Sequence, residues 1–395
     1  MYRLSGRIQQ YAWGGNNFIP DLFHLEVDRS IPSAEYWLGV HPGGDTLVEL
    51  PTGQSIRLSE LIDGSKEKYL GKETAVQFGQ LPFLLKVLDV RDMLSIQVHP
   101  NKKDAEVGFE EENNKGIPLN APNRNYKDNN HKPEIMIALS EFWLLHGFAE
   151  NIAERLEQYS FLHEFRSFYE RGGIKELYKT LMELSEEETH RILKPLSDTL
   201  LPLYHEGKLE KSSPDFWAAR AFDNLCKDNK FDKGIFSIYL FNILQLLPGE
   251  GIFQGAGMPH AYLEGQNIEL MSNSDNVLRA GLTPKYIDIP ELLKNTLFNP
   301  TTPNIIRVKQ EETIQQYDCP VPDFKIIAYN LKHTGRQTLV LEKPAILLFI
   351  RGNANLHVED RTIAATSAVA YFCKPYEKVD ISAISDLYFV VASTP

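Results

Sequence analysis

The chain has 395 residues, 43% of them hydrophobic and 24% charged, and its formal net charge is −12. This length allows two or three domains, while the negative charge and the lack of a Lys/Arg-rich block argue against a nucleic-acid partner. We expect no membrane span and no secretion, and therefore a cytoplasmic protein, because no run of about 18 apolar residues occurs and Cys226, Cys319 and Cys373 form no CxxC pair.

The first 149 residues carry a β pattern. Short apolar runs such as YWLGVHPGGDTLVEL and PFLLKVLDVRDMLSIQVHP alternate there with Gly, Pro, Asn and Asp, which is typical of strands joined by turns. Residues 101–130 are instead polar and Asn-rich. We expect a long loop in that segment, which forms a flap beside a functional site.

A helical pattern replaces the β pattern at residues 151–232. Ile174, Leu177, Tyr178 and Leu181 follow the spacing of one helical face. Ser185, followed by Glu at position 188, fits a capping box at the start of another helix. The sequence therefore predicts a helical unit that interrupts the sheet.

Strand patterns return at residue 233 and continue to the C-terminus. The runs KIIAYNL, QTLVLEKPAILLFIRG, ANLHVED, AVAYF and LYFVVAS follow one another at short spacing, as in β-sandwiches and jelly rolls. We predict a mainly β protein with two jelly-roll or β-sandwich units and an inserted α-helical unit, the first sheet being completed by strands after the insertion. The expected ranges are 1–150 and 233–320 for the first β unit, 151–232 for the insertion and 321–395 for the second β unit.

Two polar residues of the run SIQVHPNK point to one spot. Side chains two apart on a strand share a face, so Gln97 and His99 emerge together. A solvent-facing strand end explains this pair equally well when it is considered alone. The rest of the chain has to decide between the two interpretations.

A carboxylate and a second histidine extend the set. In HKPEIMIAL, Lys132 and Glu134 share a strand face, and His260 follows Gly, Met and Pro in GAGMPHAYLEG. Alone, the first pair fits a solvated ion pair and the histidine fits a core residue. Together, Gln97, His99, Glu134 and His260 form a coherent ligand set for a cation such as zinc, with a position open for substrate. Such a centre keeps a net positive charge and can stabilise an oxyanion.

The segment IELMSNSDNVLRAGLTPKYID places charged residues in a mostly loop-like stretch: Glu269, Asp275, Arg279 and Lys285. A fixed Arg fork is a good anion clamp. The alternative is a surface turn in which Arg279 pairs with Asp275 and braces the loop.

These motifs, together with QYAWGG near the N-terminus, resemble the type I mannose-6-phosphate isomerases of the cupin superfamily. The resemblance implies one zinc ion per chain, bound by Gln97, His99, Glu134 and His260, and two cupin-like β domains. It implies catalytic roles for Arg279, Lys132 and Glu269. It places further residues in the substrate and phosphate pocket: Lys86, Ser95, Lys285, Asp275, Tyr262 and His131.

The reaction implied is the interconversion of mannose 6-phosphate and fructose 6-phosphate through an enediolate. Either Lys132 or Glu269 could be the base that moves the proton, and the sequence does not choose between them. The sugar phosphate is the expected partner of a monomeric chain. The rival readings are a cupin Fe(II) oxygenase, which the glutamine ligand and the Arg/Lys cluster fit less well, and a sugar-binding jelly roll without catalysis.

Overall fold

The structure is a computed structural model that describes residues 1–227, 230–309 and 312–395. Its strands are β1 (Tyr2–Ser5), β2 (Arg7–Gln9), β3 (Glu35–Gly39), β4 (Leu47–Glu49), β5 (Ser55–Arg57), β6 (Phe83–Val90), β7 (Gln97–Val98), β8 (Glu134–Ala138), β9 (Phe142–Phe148), β10 (Phe241–Leu246), β11 (Gly251–Gln254), β12 (His260–Ser272), β13 (Leu278–Arg279), β14 (Ile314–Tyr317), β15 (Lys325–Leu331), β16 (Arg336–Leu341), β17 (Ala345–Arg351), β18 (Ala354–Val358), β19 (Arg361–Ala365), β20 (Val369–Cys373), β21 (Glu377–Ala383) and β22 (Leu387–Ser393).

The helices are α1 (Phe18–Leu22), α2 (Leu58–Asp63), α3 (Lys66–Leu70), α4 (Lys72–Phe78), α5 (Lys102–Asn114), α6 (Ile152–Gln158), a 3₁₀ helix (Ser160–Phe165), α7 (Arg166–Glu183), α8 (Glu186–His205), α9 (Pro214–Leu225), α10 (Gly234–Leu240) and α11 (Ile289–Asn295). None of these helices has both the length and the apolar character needed to cross a membrane.

The described residues form three antiparallel sheets. A ten-stranded sheet, here the site sheet, has the order β10-β9-β12-β6-β3-β2, with β7, β8, β11 and β13 paired beside this path. An eight-stranded sheet, the central sheet, has the order β14-β15-β22-β17-β20-β1-β4-β5, and a four-stranded outer sheet has the order β16-β21-β18-β19. The prediction of a mainly β protein is confirmed.

The central sheet packs against both others. Phe83 and Ile268 of the site sheet share one buried cluster with Phe372 of the central sheet. On the opposite face, Phe389 of the central sheet shares a second cluster with Ile381 of the outer sheet. The apolar faces predicted by the strand alternation are therefore buried between layers.

Strands from before and after the helical segment complete the site sheet, as the sequence predicts. Strand β12 pairs with β6 in a register that sets Glu269 opposite Lys86, and it pairs with β8 on its other side. The central sheet shows the same mixing of early and late strands. Its β20 pairs with β1, so Leu4 at the start of the chain lies opposite Ala370 near its end.

The helical pattern at residues 151–232 is matched by α6 to α9 and the 3₁₀ helix. Ile174, Leu177, Tyr178 and Leu181 are buried in a cluster that also contains residues of β9 and α10. The predicted capping box is confirmed, because the Ser185 hydroxyl accepts from the backbone N–H at position 188 and the Glu side chain there accepts from the backbone N–H of Ser185.

Several segments differ from the expectation. Helices α1 to α4, within residues 18–78, and α11 (Ile289–Asn295) lie where the sequence pattern indicates strands. Residues 101–130 begin with helix α5, not with a loop, because the Asn101 side chain caps its first turn by accepting from the Asp104 N–H at 2.9 Å. Residues 234–240, expected to be β, form α10, and every residue of this helix is buried. A short, continuously apolar run has no period that separates a buried strand from a buried helix.

Helix α5 packs so closely on Tyr126 that Gly108 leaves no room for a side chain. A Cβ at Gly108 would lie 2.3 Å from the Tyr126 ring. We expect Gly108→Val to lower the free energy of unfolding by about 1–3 kcal/mol through overpacking, measured by urea denaturation. Val107→Ala, a change at an exposed position of the same helix, should alter it by less than about 0.5 kcal/mol. Equal stability of the two variants would contradict this packing.

Candidate active site

Four strands of the site sheet bring the predicted residues together. Gln97 on β7 lies opposite His260 of β12 and opposite Arg279 of β13. Glu134 begins β8, which pairs with β12. Residues that are far apart in sequence are therefore placed side by side by strand register.

His99, Glu134 and His260 form a buried cluster whose potential ligand atoms all lie within 4.8 Å of one another. His99 Nε2 is 3.5 Å from one Glu134 oxygen, and His260 Nε2 is 3.2 Å from the other. His99 is fully buried, and its Nε2 has no hydrogen-bond partner among the described residues. Two imidazole nitrogens and a carboxylate fit a zinc ion by donor type.

Backbone carbonyls orient both imidazoles. The Nδ1 atom of His99 is 2.8 Å from the carbonyl oxygen of Asn276, and that of His260 is 2.9 Å from the carbonyl oxygen of Met258. Because a carbonyl only accepts, each Nδ1 carries the proton and each Nε2 is left with its lone pair. Burial lowers the pKa of His99 to about 4, which keeps this ring neutral, as a metal ligand must be.

The turn that orients His99 is anchored by the segment predicted to be a flap. The Asp128 carboxylate accepts from the backbone N–H of Asp275 at 2.8 Å and from the Ser274 hydroxyl at 2.9 Å. The side chain of Asn276 donates to the carbonyl oxygen of Asp128 at 2.8 Å. This end of the 101–130 segment is therefore bound to the site.

Glu134 is held as a carboxylate by its neighbours. Lys132 Nζ lies 3.1 Å from Glu134 Oε1. Burial alone would raise the pKa of Glu134, but the positive charge of Lys132 outweighs burial and holds this pKa well below its usual range. The residue is thus charged and available for a cation.

A second ion cluster lies beside the first. Lys86 Nζ is 3.1 Å from Glu269 Oε1 and 3.4 Å from Glu35 Oε2, and it lies over the Trp37 ring. Burial lowers the pKa of Lys86, but the two carboxylates raise it above its usual value. Burial also raises the pKa of Glu269.

Both clusters line one small cavity of about 50 Å³. Its lining residues are Glu35, Lys86, Leu88, Leu94, Gln97, Lys132, Glu134, His260, Ala261, Tyr262 and Glu269. The cavity therefore joins three of the four predicted ligands to both candidate bases. Tyr262 is buried in its wall.

Arg279 belongs to a cationic group. Burial lowers the pKa of Arg279, and burial followed by the Arg279 charge lowers the pKa of Lys285. Asp275, the partner suggested by the bracing alternative, instead lies 3.4 Å from His41. Among the residues that the structure describes, no carboxylate forms an ion pair with Arg279 or Lys285. These two positive charges are available for an anion.

His131 and Ser95 are not among the residues that line this cavity. His131 Nε2 is 2.9 Å from Asp323 of the C-terminal part of the chain, and Ser95 is half-buried just before β7. Lys86, predicted to hold phosphate with Lys285, forms ion pairs with two carboxylates. The substrate roles of these residues stay predictions.

Several site residues belong to no motif that the sequence makes recognisable. Glu35 and Trp37 lie in a continuously buried strand, and they come to Lys86 through the pairing of β3 with β6. Lys127, whose pKa is lowered by burial and then by Arg279, lies in the segment predicted to be a flap. Only the Asn/Asp-rich composition around Asn276 could have marked its carbonyl as an anchor.

Comparisons with known proteins identify the family of this chain. The family model "Phosphomannose isomerase type I, catalytic domain" matches residues 1–151. The mannose-6-phosphate isomerase of Escherichia coli (strain K12) is 38% identical over 368 residues, which is 90% of each chain. A variant phosphomannose isomerase from Salmonella typhimurium has a TM-score of 0.89 at 33% identity, covering 100% of this chain and 99% of that chain. A zinc-bound mannose 6-phosphate isomerase has a TM-score of 0.88 at 33% identity with the same coverage. The chain therefore belongs to the type I mannose-6-phosphate isomerase family.

Proposed function

We propose that this protein interconverts mannose 6-phosphate and fructose 6-phosphate at a site that takes one zinc ion per chain. The observation that carries the proposal is the buried cluster of His99, Glu134 and His260 beside a cavity with both a carboxylate and cationic side chains. The activity named for the Escherichia coli relative supports it. A coupled assay of mannose 6-phosphate conversion, with and without a chelator, tests it directly.

Gln97, His99, Glu134 and His260 would hold the zinc ion. The donor set is neutral at the two imidazoles and the amide and carries one negative charge at Glu134, so a bound Zn²⁺ leaves the centre positive. When bound, the ion supplies a Lewis acid that stabilises negative charge on a sugar oxygen. Lys132 adds a second positive charge within 3.1 Å of Glu134.

The chain must also move a proton between C2 and C1 of the opened sugar. We propose Glu269 as the base, with Lys132 as the alternative. Glu269 lines the cavity, and burial raises its pKa, which makes the carboxylate a stronger base. Lys86 donates to Glu269 at 3.1 Å and would keep the carboxylate in one orientation as the proton moves.

Arg279 and Lys285 are proposed to face the anionic parts of the substrate. Arg279 lies opposite Gln97 in the strand register, which suits a cation that stabilises charge developing on the sugar oxygens. Lys285 is the proposed phosphate residue, with Lys86 and Ser95 as its predicted partners. Tyr262, Asp275 and His131 are proposed to line the remainder of the sugar-phosphate pocket.

We also propose the finer architecture. The two β units are cupin-like jelly rolls, with ranges near 1–150 plus 233–320 and 321–395, and the helices after residue 151 form an inserted domain. The sheet memberships given above modify these ranges, because β1, β4 and β5 belong to the central sheet. We also propose a monomer, and three free cysteines support a reducing, cytoplasmic setting.

Removal of one imidazole should remove the metal. His260→Ala deletes one of the three closest donors, so we expect stoichiometric zinc in the purified parent protein and less than about one tenth of it in the variant, with isomerase activity lost in parallel. Elemental analysis and the coupled assay measure the two quantities. A metal-free parent enzyme that keeps full activity in chelator would refute the zinc site.

The base is tested with two carboxylates that share Lys86. Glu269→Gln should lower kcat by about 10²–10⁴-fold if Glu269 transfers the proton, with zinc content unchanged. Glu35→Gln removes a similar contact to Lys86 and should lower kcat by less than about tenfold, because it leaves the base in place. Equal losses in the two variants would mean that Glu269 acts only through Lys86, and Lys132 would then become the base.

Phosphate recognition should appear in KM. Lys285→Gln removes a cation that no carboxylate neutralises in the described structure, so we expect KM for mannose 6-phosphate to rise about tenfold or more with kcat nearly unchanged. Lys294→Gln is the matched control, since Lys294 is paired with Glu291 at 2.9 Å, and it should keep the parental KM. If the parent enzyme converts unphosphorylated mannose equally well, the phosphate pocket does not exist.

A further inference from the structure

The loop that follows Arg279 is held by a carboxylate outside the candidate site. Asp232 accepts from the backbone N–H of Leu282 at 2.7 Å and of Thr283 at 2.8 Å. It also accepts from the backbone N–H of Gly234 at 2.7 Å, at the start of α10. One side chain therefore joins the first turn of a buried helix to the loop between Arg279 and Lys285.

The loop has an unusual backbone at the point where Asp232 holds it. Leu282 has a φ of 54°, in the left-handed region that non-glycine residues avoid. Gly281 has a φ of 118°, and a Cβ at this position would lie 2.3 Å from the Cα of Gly234. A non-glycine residue in the left-handed region is unfavourable and persists only where the surroundings impose it. The hydrogen bonds to Asp232 hold the backbone at this point.

Among the described residues, the hydrogen-bond partners of the Asp232 carboxylate are backbone N–H groups. Burial raises the pKa of Asp232, and the hydrogen bonds from Leu282, Thr283 and Gly234 oppose this shift. In the described ranges of the chain no Lys or Arg forms an ion pair with it. The Asp232 side chain is half-buried, and the three backbone N–H groups that it accepts from belong to two separate segments of the chain, which gives these bonds a geometric role.

The other side of the loop is tied to the strand that carries Gln97. The backbone N–H of Ala280 donates to the carbonyl oxygen of Ile96 at 2.9 Å, and the N–H of Ile96 donates to the carbonyl oxygen of Gly281 at 3.0 Å. Arg279 is thus fixed between a strand pair on one side and the Asp232 bonds on the other. Residues 282–283 follow this segment directly, so a displacement there acts on the backbone next to Arg279.

We propose that Asp232 is a positioning residue for the isomerisation, which sets the location of the Arg279 guanidinium through the backbone of residues 281–283. This inference rests on the proposed function. It assigns to the end of the helical segment a part in catalysis, although Asp232 itself touches neither the cavity nor the predicted metal ligands.

A double-mutant cycle with Arg279 tests the proposal. In Asp232→Asn the side chain keeps one acceptor oxygen and gains an NH₂ group that faces the backbone donors. Since a shift of about 1 Å can cost up to 10²-fold in rate, we expect kcat to fall about tenfold or more, with parental zinc content. In an Arg279→Ala background, the same substitution should change kcat by less than about twofold, because the group that it positions is gone.

Ser237→Ala is the matched control for stability. Ser237 is buried in the same helix α10, and its hydroxyl contacts that of Tyr178 at 3.1 Å without touching the loop. This variant should lower Tm while kcat stays parental. If Asp232→Asn does not fold, Asp232→Glu keeps the charge, displaces the loop by one methylene and should show the same loss of kcat and the same dependence on Arg279.

The results distinguish a failure of the proposed function from a failure of the positioning role of Asp232. A parent enzyme that does not convert mannose 6-phosphate refutes the proposed function. An active parent with parental kcat in the folded Asp232 variant refutes only the positioning role. Equal fold losses of kcat in the presence and in the absence of Arg279 would likewise overturn it, because they would show that Asp232 acts on overall stability and not through the guanidinium.

Discussion

The arrangement of the site depends on the buried negative charge of Glu134. A carboxylate in a protein interior is unfavourable by several kcal/mol unless opposite charge and hydrogen-bond partners accompany it. Lys132 supplies opposite charge 3.1 Å from this carboxylate. The two imidazoles within 3.5 Å present lone pairs to it, an arrangement that favours a shared cation. Each of these side chains is brought there by a different strand or by the turn next to it. The packing of the site sheet therefore also determines the charge balance around Glu134.

The features of the fold and of the site that follow from local sequence could be predicted. Strand KIIAYNL corresponds to β15, and the pairs Gln97/His99 and Lys132/Glu134 were found because side chains two apart share a strand face. The contact of Lys86 with Glu269 spans 183 positions and arises only from the register of β6 with β12, which local patterns do not encode. The helix at 102–114 was not predicted, because a single Asn cap at its start is a weak signal in the sequence. The helix at 234–240 was not predicted, because a fully buried apolar run has the same sequence pattern in a helix and in a strand.

The charge of the site opposes the charge of the whole chain. The net charge is −12, yet Arg279 and Lys285 lie together without an ion-pair partner among the described carboxylates. A phosphorylated substrate is repelled at long range and attracted only within about one Debye length, about 8 Å at physiological ionic strength, of this pair. Added salt should therefore weaken both effects, and the local attraction inside the partly buried pocket should be screened less than the repulsion outside it.

The pairing of β1 with β20 has a consequence for the way the chain is made. Residues 2–4 bond to residues 370–372, so the earlier strand waits until all the residues between them have been made before its partner emerges. At a synthesis rate of about 5–20 residues per second this delay lasts tens of seconds. During that interval the apolar side of the site sheet, which β20 and its neighbours later cover, is open to water. Nascent chains of this protein are therefore expected to need a chaperone until the final strands have been released.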